Sequence, residues 1–93
     1  MTDIIVVDDN QVLLSVIAEI FKECGYIVRT ATNGFAALAQ IRRKVPRVLL
    51  SDLNMPGMSG FELQSVVRRR FPEIVAIAMS GASGLRRRAG DRR

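Results

Sequence analysis

Three stretches of unbroken apolar sequence, IIVV from residue 4, VLL from residue 48 and IVAIAM from residue 74, punctuate this chain. A fourth stretch, YIVRTA from residue 26, is more polar. Between them lie segments whose apolar side chains recur every three or four positions. A short apolar run with no alternation reads as a strand covered on both faces, and spacing of three and four reads as one side of a helix. Strands are expected at 3–9, 26–31, 47–52 and 74–80, and helices at 12–24, 35–43 and 59–70. Asn10 is placed to cap the first helix, and Gly25 stops it. Its apolar residues Leu13, Val16, Ile17, Ile20, Phe21 and Cys24 are expected to face the sheet. In the third helix the inward side is expected to hold Phe61, Leu63, Val66 and Val67, with Arg68, Arg69 and Arg70 at the end where cations suit the helix dipole. The order βαβαβαβ requires a parallel sheet with right-handed crossovers and helices on both faces.

The 93 residues make one domain. The single cysteine, Cys24, excludes an internal disulfide and fits a cytoplasmic location. No apolar run approaches the ~20 residues that span a bilayer, so no membrane partner is expected. The net charge of +5 is uneven. Residues 85–93, LRRRAGDRR, carry +4, and residues 1–84 hold nine basic and eight acidic side chains. The expected division is a domain over 1–84 and a solvated basic tail over 85–93. No aromatic residue interleaves the tail's arginines, so nucleic acid is not an expected partner. The chain has no histidine, which excludes Ser-His-Asp and Cys-His catalysis and any zinc site built on histidine.

The strands end on chemistry. The first runs into Asp8 and Asp9, the third into Asp52, and the fourth into Ser80. Open parallel sheets bind ligands beyond the carboxyl ends of their strands. If the first and third strands are neighbours, three carboxylates meet at one rim. Such a group either takes up protons or holds a cation, and all-oxygen ligands favour a hard one, Mg²⁺ above all. A carboxylate beside Mg²⁺ can attack a phosphoryl group. Taken singly, Asp8 or Asp9 reads as a helix cap, Asp52 as a turn residue and Ser80 as a turn serine. Met55 and Met58 read as packing. Three acidic strand ends in one βα pattern are harder to assign to chance.

The stretches VVDD, DLNMPGMSG, ATNGFAAL and AMSG together resemble the receiver domains of two-component response regulators, over residues 3 to about 82. DLNMPGMSG matches that family's D-x-x-M-P-x-x-x-G signature. The resemblance implies a flavodoxin-like, doubly wound α/β fold with strand order 2-1-3-4. It implies that Asp52 accepts a phosphoryl group from a sensor histidine kinase or phosphotransfer protein. It implies that Asp9 holds Mg²⁺ directly, Asp8 partly through water, and Asn54 through its backbone carbonyl. Ser80 is expected to bind the phosphoryl oxygen and to switch. The side chains of Asn54 and Ala82 are expected to tune dephosphorylation. Members of the family have five βα units, and this sequence reads as three and a fourth strand. The fifth unit, and with it the family's lysine at the end of the fifth strand, is not found; Lys44 precedes the third strand and is not that residue. Two functional readings follow, with a nucleic-acid-binding peptide carried by the tail as a weaker third. One is a phosphoacceptor module whose enzymatic capacity is at most self-phosphorylation and autodephosphorylation. The other is a receiver-like protein-binding module impaired in phosphorylation. With order 2-1-3-4 the apolar fourth strand becomes an edge, and a homodimer through it is expected.

Overall fold

A computed structural model describes residues 2–79 of the chain. Seven elements follow in order: β1 (Asp3–Val7), α1 (Gln11–Glu23), β2 (Ile27–Ala31), α2 (Gly34–Arg43), β3 (Val48–Asp52), α3 (Gly60–Arg70) and β4 (Val75–Met79). The four strands form one sheet in the order β2-β1-β3-β4, and every pairing is parallel. The expected end of the fourth strand at Ser80, the position of Ala82, the basic segment 85–93 and the question of a fifth βα unit lie outside the described residues.

The sequence's punctuation is visible in the capping. Asn10 accepts from the amides of Val12 and Leu13, both at 3.1 Å. Asn33 accepts from Ala36 N–H at 2.8 Å. Ser59 and Glu62 form a reciprocal capping box at the start of α3. Gly25, at φ +95°, takes the left-handed turn that ends α1.

The β1 residues Ile4, Ile5, Val6 and Val7 are buried, as a central strand covered on both faces requires. Ile5, Val7 and Leu49 point to the side of α2 and α3, where Ala37, Ile41, Leu63 and Val67 close over them. Ile4 and Val6 point to the side of α1, where Leu14 meets them and Ile17, Phe21 and Tyr26 pack at the margin. The Phe21 and Tyr26 rings meet edge to face, 5.1 Å between centroids.

Two inward faces differ from expectation. In α1 the fully buried side chains are Leu14 and Ala18, whereas Leu13, Val16, Ile20 and Cys24 are exposed. The helix is apolar nearly all round, so spacing alone fits more than one face, and the small Ala18 lets the helix lie close to the sheet. In α3 the buried positions are Gly60, Leu63, Gln64 and Val67, and Phe61 is 64% exposed. Gln64 takes an inward position because its amide donates to Ser51 Oγ at 3.3 Å, which satisfies two buried polar groups at once. Among the described residues no helix is long and apolar enough to cross a membrane.

Candidate functional site

The parallel sheet carries the ends of β1 and β3 to one rim. Register places Val7 beside Ser51, so Asp8 and Asp52 emerge from adjacent strands. One carboxylate oxygen from each of Asp8, Asp9 and Asp52 lies within 4.8 Å of the others. Asp8 and Asp52 are buried, and Asp9 is exposed.

Each buried carboxylate is held by backbone. Asp8 N–H donates to the Ala31 carbonyl at 3.2 Å, tying the rim to the end of β2. Asp8 Oδ1 accepts from Asn10 N–H at 2.9 Å. Burial pushes the Asp8 carboxyl above its ordinary value of 3.8; Asn10 N–H opposes this, and the nearby Asp52 and Asp9 charges add to it. Asp52 Oδ1 accepts from Asn54 N–H at 3.1 Å. Both bonds span two residues, so each aspartate folds its own following loop against itself.

The loop after Asp52 must turn back within a few residues. Gly57 takes φ +78°, a conformation other residues rarely adopt. Gly60 N–H donates to the Leu53 carbonyl at 3.2 Å, which brings the start of α3 onto the end of β3. A Cβ on Gly60 would collide with the Asp52 carbonyl oxygen and stand 2.6 Å from Leu53 Cα. The glycine-rich stretch therefore permits a close backbone approach that fixes Asp52 at the rim. Met55 is buried in the α2/α3 core, and Met58 packs against its edge, so both methionines serve packing.

Met79 pairs with Asp52, and Leu53 N–H donates to the Met79 carbonyl at 3.0 Å. β4 thus ends at the same rim. Ser80 and Ala82, expected as switch and tuning residues, lie outside the described residues. Asn54 is exposed, and the observed role of its backbone is the N–H bond to Asp52. The close approach at Gly60 was not anticipated from sequence; the only signal was a glycine eight positions after Asp52. Three carboxylates at this spacing, without histidine or thiolate, suit a hard divalent cation such as Mg²⁺.

The family model of the response regulator receiver domain matches residues 4–89. The nitrogen assimilation regulatory protein NtrX of Azorhizobium caulinodans is 33% identical over 81 residues, and the DNA-binding transcriptional regulator NtrC of Salmonella typhimurium is 38% identical over 80. The alignments take in 85% and 86% of this chain but only 18% and 17% of those relatives' lengths. Among solved structures, response regulator TrrA of Thermotoga maritima in complex with Mg(2+)-BeF superposes with a TM-score of 0.84 at 31% identity, covering 89% of this chain and 72% of that one. The complex of histidine kinase ThkA with TrrA matches at 0.85 and 31%, covering 95% and 76%.

Proposed function

The chain belongs to the response regulator receiver domains of two-component systems, and on that premise we propose that it is a phosphoacceptor module with Asp52 as the acceptor. The observation that carries this reading is the meeting of Asp8, Asp9 and Asp52 at one rim, their oxygens within 4.8 Å. A carboxylate oxygen of Asp52 attacks phosphorus of a phosphohistidine on a partner kinase or phosphotransfer protein. The new P–O bond forms as the P–N bond breaks, and the electron pair leaves on the imidazole. The product is an acyl phosphate. Water later attacks phosphorus, the acyl P–O bond breaks, and inorganic phosphate leaves with the carboxylate restored. Asn54 N–H fixes Asp52 Oδ1, which directs the other oxygen to the incoming group. Mg²⁺, held by Asp8, Asp9, Asp52 and the Asn54 backbone carbonyl, would offset the charge of the phosphoryl oxygens. Ser80 is proposed to bind a phosphoryl oxygen and to switch. Asn54 and Ala82 are proposed to set the rate of water attack. A relative solved with a histidine kinase supports a kinase partner, and with it a cytoplasmic setting.

Incubation with Mg²⁺ and acetyl phosphate, followed by intact mass, tests the reading. Wild type gains one phosphoryl mass, and Asp52→Asn and EDTA-treated protein do not. No gain by wild type would leave the protein-binding alternative in its place.

We further propose self-association through β4. Among the described residues β4 is an edge of the sheet, and Val75 and Ile77 are about half exposed. Ile77→Lys, measured by sedimentation, should then shift a dimer to monomer. A wild-type monomer would refute this point alone.

A further inference from the structure

Residues 1–84 are nearly neutral in sum, yet the fold sorts their charges into two ends. All strands are parallel, so every strand ends, and every helix begins, at the rim. There the charged residues are Asp8, Asp9, Asp52 and Glu62, with no cation among the described residues. The other end collects Lys22, Arg29, Arg42, Arg43, Lys44, Arg47, Arg68, Arg69 and Arg70. Asp3, Glu19, Glu23 and Glu73 lie in that half as well. Asp3 pairs with Arg29 and Lys44, and Glu19 with Lys22. Six cations remain without an ion-pair partner among the described residues: Arg42, Arg43, Arg47, Arg68, Arg69 and Arg70. All six are exposed.

We propose that this end of the domain is a docking surface for the phosphate backbone of double-stranded nucleic acid. Every unpaired cation is an arginine, whose planar fork matches phosphate oxygens in a way a lysine does not. The arginines stand at the ends of α2 and α3, which pack side by side on one face of the sheet, and at the entry to β3 between them. Arg68, Arg69 and Arg70 all stand in the last turn of α3, where the dipole favours cations, and all three remain exposed. No exposed aromatic stands among them. Phe71, next in sequence, packs against the core, so the surface lacks the stacking platform that single strands need. A membrane fits less well. Interfacial binding uses a helix lying flat with an apolar face, whereas these arginines terminate helices, and the exposed apolar residues nearby, Ile27, Val45 and Val75, line one hollow whose wall also carries Asp3, Lys44, Arg47 and Glu73. The rim, acidic throughout its described residues, repels the same polyanion, so among those residues only the opposite end suits the duplex.

The full chain, titrated with a short labelled duplex of arbitrary sequence and followed by anisotropy over a range of NaCl, tests this. Binding in the micromolar range is expected near 0.1 M salt, with log K falling linearly in log salt. The triple exchange Arg68→Gln, Arg69→Gln and Arg70→Gln should lower that slope by about 2–3 and the affinity by about tenfold or more. Arg42→Gln with Arg43→Gln should lower the slope by about 2. A chain with Arg86, Arg87, Arg88, Arg92 and Arg93 all changed to Gln separates the tail's contribution and should retain binding that the α3 exchange then removes. Unchanged melting temperature and Asp52 labelling confirm that the exchanged proteins are folded. The proposal is overturned if wild type does not bind, if the tail exchange alone abolishes binding while the α2 and α3 exchanges leave it intact, or if phosphatidylserine vesicles outcompete the duplex at equal phosphate.

Discussion

The rim and the opposite end of the sheet are made by the same seven elements, yet they spend free energy in opposite ways. At the rim, three like charges converge, one of them buried to the point that its protonation is perturbed, and two backbone segments approach so closely that only a glycine fits. At the other end, Arg29 Nη2 stands 3.0 Å from Asp3 Oδ1 and donates to the Lys44 carbonyl at 2.9 Å, and Lys44 Nζ lies 3.4 Å from Asp3 Oδ2. That arrangement ties β1, β2 and the end of α2 together with complementary charge. Like charges converge at the rim, whereas the Asp3, Arg29 and Lys44 cluster sets opposite charges together, with Asp3 Oδ2 left without a hydrogen bond.

The sharpest way to break this division is to exchange residues at each end and ask which exchange touches labelling by a phosphodonor. Asp52→Asn should abolish it, since the amide has no anionic oxygen to attack phosphorus. The triple Arg68, Arg69 and Arg70 exchange to glutamine should leave labelling by acetyl phosphate unchanged, because those residues lie the length of the sheet away. Intact mass reads both. A labelled Asp52→Asn protein would remove the site from the rim.

Next in size is the close approach. Gly60→Ala places a Cβ against main-chain atoms of Asp52 and Leu53, which cannot rotate aside. Overpacking of this kind costs roughly 1–3 kcal/mol, and a domain of this size loses about 4–8 °C of melting temperature per kcal/mol. Labelling should slow as well, because the displaced backbone is that of Asp52. Gly25→Ala is the control: its Cβ meets open space, so only the positive φ opposes it, at roughly 1–2 kcal/mol. Equal losses at the two positions would mean that the loop yields freely and that Asp52 is not held by it.

How far the sequence disclosed this arrangement depends on which physical quantity was local. β1 and β3 were legible because strands covered on both faces favour unbroken apolar runs, here IIVV and VLL. The cap Asn10 was legible because it acts within three residues, whereas Ser59, read as the first residue of the third helix, is its cap. Asp8, Asp9 and Asp52 were legible as strand ends, and adjacency of β1 and β3 brings their carboxylates together. The inward face of α1 was not legible, since Val12 to Phe21 is apolar around most of the helix and only packing selects Leu14 and Ala18. Phe61 was misjudged because hydrophobicity was weighed without the hydrogen bond that draws Gln64 inward. The charge division was hidden by the sum over residues 1–84, which cancels, while the parallel topology sends the two signs to opposite ends.

A smaller effect is expected from the paired end. Asp3→Asn removes the charge facing Arg29 and Lys44 but leaves an oxygen able to accept, and Arg29 keeps its bonds to the Lys44 and Gln40 carbonyls. The pair is partly exposed, with Arg29 at 24% and Asp3 at 14%, so screening reduces its worth, and a loss of about 1 kcal/mol is expected. Added salt should shrink the difference from wild type. A stabilised Asp3→Asn protein would show that desolvating the Asp3 carboxylate costs more than its pairing returns.

The smallest expected effect has the opposite sign. The Asp8 carboxyl is raised above 3.8, so between that value and its folded value the folded chain holds more proton than the unfolded one. Stability then falls as pH rises through this window, and the metal-free protein carries the full loss at neutral pH. Asp8→Asn removes the ionisation and keeps the oxygen that accepts from Asn10 N–H, so the metal-free variant should melt slightly above wild type at neutral pH. The gap should close below pH 3.8, where the wild-type carboxyl is neutral in both states. Mg²⁺ should reverse the order by stabilising wild type through mass action and the variant less, since a ligand has been lost. A metal-free Asp8→Asn protein that melts below wild type at every pH would mean that the Asp8 charge is compensated within the rim, and the contrast between a repulsive end and a paired end would fail at its most buried residue.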